Sequence, residues 1–275
     1  MSTEVEGLSN KILAKIESEI GKVKDVDKRR RLLRFIVAAM SSIPWIGGIF
    51  SASTALQSEI EQAKTNELYN SWLLEHQNKI EDLGLTIQEI LERFDSLGDV
   101  INDRIESEEY LQIVTKAFRT WDKSDTNDKR EIIRNLIANA TAINLCSDDV
   151  IRLFIDWIEK YHESHFYVIK FIYLNHGITR GEIWDRIYSS RPKENSAEAD
   201  LYKLLIRDLS TGGVIRQHRP IDYNGNFIKK PSTKNKSNKS RIMKSAFDTT
   251  EHYELTELGS KFVHYCMEDI VKRIE

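Results

Sequence analysis

The feature that most constrains this chain is an uncharged, largely apolar segment, FIVAAMSSIPWIGGIFSASTALQS, which runs from Phe35 to Ser58. It is as long as the roughly 20 residues that a membrane-spanning helix needs. Five serines and a threonine dilute its hydrophobicity, however, and Pro44 and the pair Gly47-Gly48 interrupt it near the middle. Proline removes a backbone donor and clashes with the preceding turn, and glycine weakens a helix by about 1 kcal/mol. The segment therefore predicts a hairpin of two short apolar helices rather than one straight span.

Two interpretations of this hairpin are open, because a helix that is apolar all round suits either a protein core or a membrane. In the first, helices at Phe35–Ile43 and about Ile49–Leu56 form the buried centre of a soluble bundle. In the second, a soluble fold holds the hairpin and releases it into a bilayer, where the basic run KRRRLLR at 28–34 faces anionic headgroups. A permanent membrane anchor is a third alternative. A sheltered position for residues 35–56 would favour the first interpretation.

The stretch IPWIGGIFSA, which begins at Ile43, is flanked by long amphipathic helices and resembles the membrane hairpin of bacterial α-helical pore-forming proteins. The whole chain also resembles uncharacterised bacterial proteins that place such a segment before a winged helix, as some phage-defence (abortive-infection) proteins do. These resemblances imply a cytoplasmic protein that associates with the inner membrane on activation. The residues that they assign to a membrane-active hairpin are Phe35, Ile36, Ile43, Pro44, Trp45, Ile46, Gly47, Gly48, Ile49 and Phe50.

Long amphipathic helices are predicted on both sides of the hairpin, because Gly and Pro are scarce and apolar residues recur at spacings of three and four. Thr86, with Glu89 three positions later, forms a capping box and predicts a helix that begins at Thr86. Ser147, followed by two aspartates, predicts another helix start. Residues 1–164 are therefore predicted to form a long-helix bundle. Helices of this kind also pair with copies of themselves, and we expect a homo-oligomer.

The pattern changes near residue 165, where three shorter helices are followed by strand and turn signals. Thr179 with Glu182 caps the second of these helices, and Ser196 caps the third. The third helix is expected to turn Leu201, Leu204, Leu205 and Leu209 inward. A strand from Val214, an Asn224-Gly225 turn, a returning strand at His252 and a closing helix complete the pattern.

This order of elements resembles the winged helix-turn-helix fold over residues 165–275. The resemblance includes the sequence GVI after the third helix and YELTELGSKFVHY near the end. The chain is thus expected to be mainly α, with an N-terminal long-helix bundle that carries the apolar hairpin, and a C-terminal winged helix with a small β-wing. Winged helices bind nucleic acids, but they also serve as protein-interaction modules, so the resemblance alone does not fix a partner.

Charge is unevenly distributed in the second domain. Residues 216–244 carry nine lysines and arginines against one acid, Asp222, a formal charge of +8 that leaves −11 for the rest of a chain of net charge −3. Such a basic wing predicts contact with nucleic-acid phosphates or with another anionic surface; a solvated loop is the alternative. The residues predicted to make this contact are Arg216, Arg219, Lys229, Lys230, Lys234, Lys236, Lys239, Arg241 and Lys244.

The helix that would enter the major groove, at 197–210, carries Glu198, Asp200 and Asp208 against Lys203 and Arg207. It offers no row of Arg, Asn or Gln for base edges, so sequence-specific reading of DNA is not expected.

No pattern of catalytic residues is found in the sequence. His162-Glu-Ser-His165 has a separation of three, whereas a zinc-protease helix needs histidines four positions apart. Phosphate-binding glycine loops and the nucleophile elbow are absent from the sequence. The two cysteines, Cys146 and Cys266, form neither a disulfide framework nor a zinc quartet. We therefore expect a non-enzymatic protein without metal or cofactor.

Two functions are consistent with these features. The first is a defence or stress effector, antiviral in kind, that perturbs a membrane through the hairpin while the winged helix senses or docks a protein or nucleic-acid partner. The second is a soluble winged-helix regulator that binds nucleic acid and whose helical half oligomerises.

Overall fold

The computed structural model describes residues 21, 25–46, 59–142, 144–188, 190–220, 222–228 and 245–267, and for residues 59–77 it describes the backbone alone. These residues are mainly helical, as the sequence predicts, and include a small three-stranded sheet. They divide into two compact units. The first comprises the described residues up to Lys160 together with those from Tyr265 on, and the second is Tyr161–His264.

The first unit is built of helices that each bury one face. Helix α4 lies at its centre and packs against α1, α5 and α6. The described elements, in chain order, are α1 (Val26–Ser41), α2 (Glu59–Leu97), a 3₁₀ turn (Gly98–Ile101), α3 (Asn102–Glu106), α4 (Glu108–Lys123), α5 (Asn127–Ala142) and α6 (Asp148–Lys160).

Helix α1 begins earlier than the apolar segment. The Asp25 carboxylate accepts the backbone N–H groups of Asp27 and Lys28, which caps the helix before the basic run. Its buried face is Leu32, Phe35, Ile36 and Ala39. The prediction of a helix from Phe35 to Ile43 is therefore wrong at both ends, because the basic residues occupy the exposed side of the same helix and the helix ends at Ser41.

The prediction of a helix that begins at Thr86 is wrong, because Thr86 lies inside α2. Helix α2 runs without a break from Glu59 to Leu97. Thr86 is buried within the helix, and Glu89 forms an ion pair with Arg134 of α5 instead of capping. Packing decides the outcome, because one apolar stripe continues through this point and is buried on both sides of Thr86: Ile80, Leu83, Ile87, Ile90, Leu91 and Phe94.

Two buried polar side chains in the core of the first unit, Tyr110 and Asn139, are hydrogen-bonded across helices. The Tyr110 hydroxyl donates to the carbonyl oxygen of Ile137 at 3.0 Å. The Asn139 side chain, which is fully buried, accepts from Arg93 and donates to the carbonyl oxygen of Tyr265 at 2.9 Å. A buried amide without these partners would cost about 1–3 kcal/mol.

The second unit combines four described helices, the last of which runs to its boundary, with an antiparallel sheet of order β1-β3-β2. Residues pair as Ile178 with Tyr253 and Ile215 with Leu255. The two-residue strand β1 was not anticipated from the sequence, because it is too short to show alternation. The described elements are α7 (Glu163–Leu174), β1 (Ile178–Thr179), α8 (Arg180–Ile187), α9 (Ala197–Thr211), β2 (Ile215–Gln217), β3 (His252–Leu255) and α10 (Glu257–Cys266).

Both predicted helix caps of the second unit are confirmed. The Thr179 hydroxyl accepts from the N–H of Glu182, while the Glu182 carboxylate accepts from the N–H of Thr179. The Ser196 hydroxyl accepts from the N–H of Ala199. These caps fix where α8 and α9 begin, and so fix which side chains those helices present to their surroundings.

Candidate functional site

Several apolar side chains in the described part of the predicted hairpin are buried. Phe35, Ile36, Ile43 and Ile46 are buried, while Pro44 is exposed. The Phe35 ring packs edge-on against Phe94 and Phe118, at centroid distances of 5.2 and 6.3 Å. The remaining predicted hairpin residues, Gly47, Gly48, Ile49 and Phe50, lie outside the described residues.

Trp45 is attached to the fold by polar contacts as well as by packing. Its indole N–H donates to a carboxylate oxygen of Asp122 at 2.6 Å. The Lys79 ammonium lies 2.7 Å from the same oxygen and 5.9 Å from the centre of the Trp45 ring. Trp45 is therefore half-buried and held against the fold by these contacts. Among the described helices, none has the length and apolar character needed to cross a bilayer.

An ion cluster lies at the start of the predicted basic wing, residues 216–244. The Arg216 Nε donates to Glu254 at 2.7 Å, and the His218 Nδ1 lies 2.6 Å from the other oxygen of the same carboxylate. Partial burial raises the pKa of Glu254, but the hydrogen bonds and positive charges of His218 and Arg216 outweigh it, so that the pKa lies below its ordinary value. Glu254 thus stays ionised and neutralises part of the wing's charge.

Of the predicted phosphate-binding residues, only Arg216 and Arg219 lie in the part of the chain that the structure describes, and Arg219 is exposed. The others, Lys229, Lys230, Lys234, Lys236, Lys239, Arg241 and Lys244, lie outside it.

The predicted wing contains a compact turn at residues 222–228. The Asp222 carboxylate accepts the backbone N–H groups of Asn224 and Asn226 at 2.9 and 2.8 Å, and these bonds lower its pKa. Gly225 has φ of +83°, which confirms the predicted turn at Asn224-Gly225. The N–H of Ile228 donates to the carbonyl oxygen of Pro220 at 2.9 Å and closes the hairpin.

The turn at residues 222–228 exposes three large apolar side chains, which we call the knob: Tyr223, Phe227 and Ile228. Tyr223 is 97% exposed, and the Arg216 guanidinium lies 5.2 Å from the centre of the Phe227 ring. The sequence analysis identified the lysines that follow but not this cluster. Three large apolar residues close to a predicted turn could have indicated an exposed apolar surface.

Helix α9 presents acids and apolar residues to solvent. Glu198 and Asp200 are exposed in its first turn. Leu205 and Leu209 are buried as predicted, but the inward orientation predicted for Leu201 and Leu204 is wrong, since they are 50% and 38% exposed. The buried stripe is occupied instead by residues at helical spacing, which turns these two leucines outward: Ala199, Tyr202, Leu205, Ile206 and Leu209.

A groove of about 560 Å³ opens beside these leucines, between α7, α8 and α9. Its apolar lining includes Tyr167, Trp184, Tyr188, Leu201, Tyr202 and Leu205. Two polar groups of its lining are already paired within the fold: the Trp184 indole donates to the carbonyl oxygen of Ser190 and the Tyr202 hydroxyl to that of Arg180. The groove is therefore mainly, but not wholly, apolar, and its polar lining includes Ser164, Ser190 and Glu198. Sequence reasoning missed it, because its residues come from three helices.

The charged residue in the lining of this groove is Glu198. Hydrogen bonds from the Ser196 side chain and from its own backbone N–H lower its pKa, so Glu198 is ionised at neutral pH. An occupant of the groove would therefore combine an apolar body with a cation near Glu198.

The histidines of the HESH sequence and Cys266, which were considered for metal binding or catalysis, have structural roles. The ring of His165 accepts the backbone N–H of His162 at 3.1 Å, which places the HESH sequence at the start of α7. Groups of side chains suited to a metal ion are not found within the described ranges. Cys266 is buried, and burial raises the pKa of its thiol, which disfavours the reactive thiolate.

Comparison of the chain with models of protein families, with curated proteins and with solved structures found no match.

Proposed function

We propose that Tyr161–His264 is a winged-helix domain that binds the phosphate backbone of nucleic acids through its wing. The proposal is supported by the order of the elements, helix–strand–helix–helix–strand–strand, and by the β1-β3-β2 sheet order. In this arrangement the connection between β2 and β3 is the wing. That one observation carries the proposal, because the connection holds most of the nine basic residues counted between 216 and 244.

The contact is with phosphates rather than with base edges. The exposed first turn of α9 is acidic at Glu198 and Asp200, so it repels the phosphates on either side of a major groove. A lysine-rich wing carries no such penalty, and lysine binds phosphate as a point charge without reading sequence. Affinity is therefore expected to depend steeply on salt and little on sequence.

The proposal is tested by measuring how nucleic-acid binding depends on salt concentration and on the lysines of the wing. The full chain is mixed with a labelled duplex and a labelled single strand of mixed sequence, and binding is followed by fluorescence anisotropy from about 50 to about 200 mM salt. Changing Lys229, Lys230, Lys234 and Lys236 together to Gln is expected to weaken binding, and to reduce the salt slope by about 0.9 for each lost phosphate contact.

A matched variant changes four exposed lysines elsewhere to Gln: Lys123, Lys160, Lys170 and Lys193. It alters the net charge equally and is expected to bind nearly as the parent chain does. Equal weakening by both variants, or no binding at low salt, would contradict a role for the wing.

Membrane perturbation by residues 35–56 is a second candidate, favoured by the outer face of α1. Arg29 and Arg34 are exposed on that face beside Leu33 and Val37, of which Val37 is 63% exposed. Cations and apolar groups on one helix face suit an anionic bilayer surface. The burial of Phe35 and Ile36 opposes release of the hairpin.

Leakage of dye from liposomes that contain anionic lipid tests this second candidate. Release by the parent chain that is lost in the Leu33→Asp, Val37→Asp double variant would support it. Intact liposomes at a large excess of protein would refute it, and would leave a cytoplasmic nucleic-acid binder as the proposed function.

A further inference from the structure

The knob and the groove of the second unit are complementary in chemistry. The groove offers aromatic and aliphatic walls with one ionised carboxylate, Glu198. The knob offers Tyr223, Phe227 and Ile228, with exposed Arg219 at its base and Lys229-Lys230 directly after it in sequence. Each surface therefore has the apolar groups and the opposite charge that the other needs.

Large contiguous apolar patches on a protein surface mark sites of interaction with partners. Aromatic side chains that enter apolar pockets supply most of the affinity in protein interfaces. Pockets of roughly 300–1,000 Å³ hold small ligands, so a groove of 560 Å³ has room for more than one side chain of the knob.

The backbone that carries the knob is held by hydrogen bonds. The backbone N–H of His218 donates to the carbonyl oxygen of His252 and ties the hairpin to β3. Asp222 accepts two backbone N–H groups of the turn, so its negative charge is engaged within the hairpin. A surface fixed before binding loses less conformational entropy when it docks.

We propose that the knob of one copy of the chain docks in the α7–α8–α9 groove of a second copy. The interface is heterologous, because different surfaces of the two copies meet. Tyr223 enters between Tyr167 and Leu201, and Arg219 pairs with Glu198 of the other copy.

Sedimentation equilibrium of the full chain, from about 1 to about 100 µM, measures this association. The average mass of the parent chain is expected to rise above that of a monomer as concentration increases. Leu201→Lys, in the groove, and Tyr223→Asp, in the knob, are each expected to hold the mass at that of a monomer. Both positions are at least half exposed, so both variants should fold, which circular dichroism checks.

Leu174→Lys is the matched control. Leu174 is exposed at the end of α7 and lies outside the groove, so this variant is expected to associate as the parent chain does.

Mixing the two monomeric variants gives the sharpest test. Leu201→Lys keeps an intact knob and Tyr223→Asp keeps an intact groove, so a one-to-one mixture is expected to form dimers although neither variant associates alone. A parent chain that stays monomeric would overturn the proposal. So would association that survives Tyr223→Asp, or a mixture that stays monomeric.

Discussion

Trp45 and Asp122 lie 77 positions apart in the sequence and are joined by a hydrogen bond of 2.6 Å from the indole N–H to the carboxylate. Trp45 follows Pro44 at the bend of the apolar segment, and Asp122 lies near the end of α4. The Lys79 ammonium contacts the same carboxylate. One acid thus connects the bend to two long helices.

Removal of this acid should loosen the bend. Asp122→Ala deletes an ionised acceptor from a half-buried site, and hydrogen bonds to charged groups contribute about 1.5–3 kcal/mol. We expect a loss of that size in the free energy of unfolding, measured with urea. Asp125→Ala, at an exposed acid three positions on, should change it by no more than about 0.5 kcal/mol. Equal effects of the two changes would show that the Trp45 contact contributes no stability.

The inner and outer faces of α1 should respond differently to truncation. Phe35 is fully buried against two other rings, and Phe35→Ala should cost about 3–5 kcal/mol through lost burial and the cavity left behind. Val37→Ala, two positions on and largely exposed, should cost no more than about 0.5 kcal/mol. Thermal unfolding of both variants checks this, and a small effect of Phe35→Ala would argue that the segment does not belong to the core.

Capping signals in the sequence predicted the second unit better than the first. The pair Thr179 and Glu182 caps α8 as expected, because the chain before it is an extended strand and leaves the helix N–H groups free. Thr86 and Glu89 show the same spacing but lie inside α2. There the helix continues because its buried stripe continues, and burial of several large side chains outweighs a cap of about 1 kcal/mol.

The candidate surfaces were less predictable than the helices. Leu201 and Leu205 look equivalent in sequence, since both belong to the apolar pattern of α9. Only the positions of α7 and α8 decide that Leu205 is covered and Leu201 is exposed. Local periodicity indicates that a helix has an apolar face. The elements packed against the helix decide how much of that face is buried.

The ion cluster at the wing should make stability depend on pH. The pKa of Glu254 is lower in the folded chain than its ordinary value of 4.5, so its ionised form stabilises the fold. That contribution is present above the ordinary value and is lost as the pH falls through the lowered pKa. In Glu254→Gln the contribution is absent at every pH.

We therefore expect parent and Glu254→Gln chains to differ in unfolding free energy at about pH 7, and the difference to shrink as the pH falls below the ordinary glutamate value. Urea unfolding at a series of pH values measures it. Glu257→Gln, at an exposed acid nearby, is the control. A difference that stays constant down to acid pH would exclude the proposed charge contact.

Gly259 should not tolerate a side chain, although it lies in a helix. Thr256 directly precedes α10. Its N–H donates to the carbonyl oxygen of Val214 at 3.0 Å, and its hydroxyl donates to the carbonyl oxygen of Gly213 at 2.6 Å. The Gly259 N–H in turn donates to the Thr256 hydroxyl at 2.9 Å. A Cβ at position 259 would collide with the carbonyl oxygen of Val214, which is backbone and cannot rotate away.

The sign of the effect of Gly259→Ala distinguishes this arrangement from an ordinary helical glycine. At an exposed helical site the change stabilises by about 1 kcal/mol, because alanine has the higher helix propensity. Here overpacking should destabilise by about 1–3 kcal/mol or more, since relief would require breaking the bonds that join α10 to Gly213 and Val214. Ser260→Ala, at the next position, should lie within about 0.5 kcal/mol of the parent. A rise in melting temperature for Gly259→Ala would mean that α10 does not lie against the start of β2.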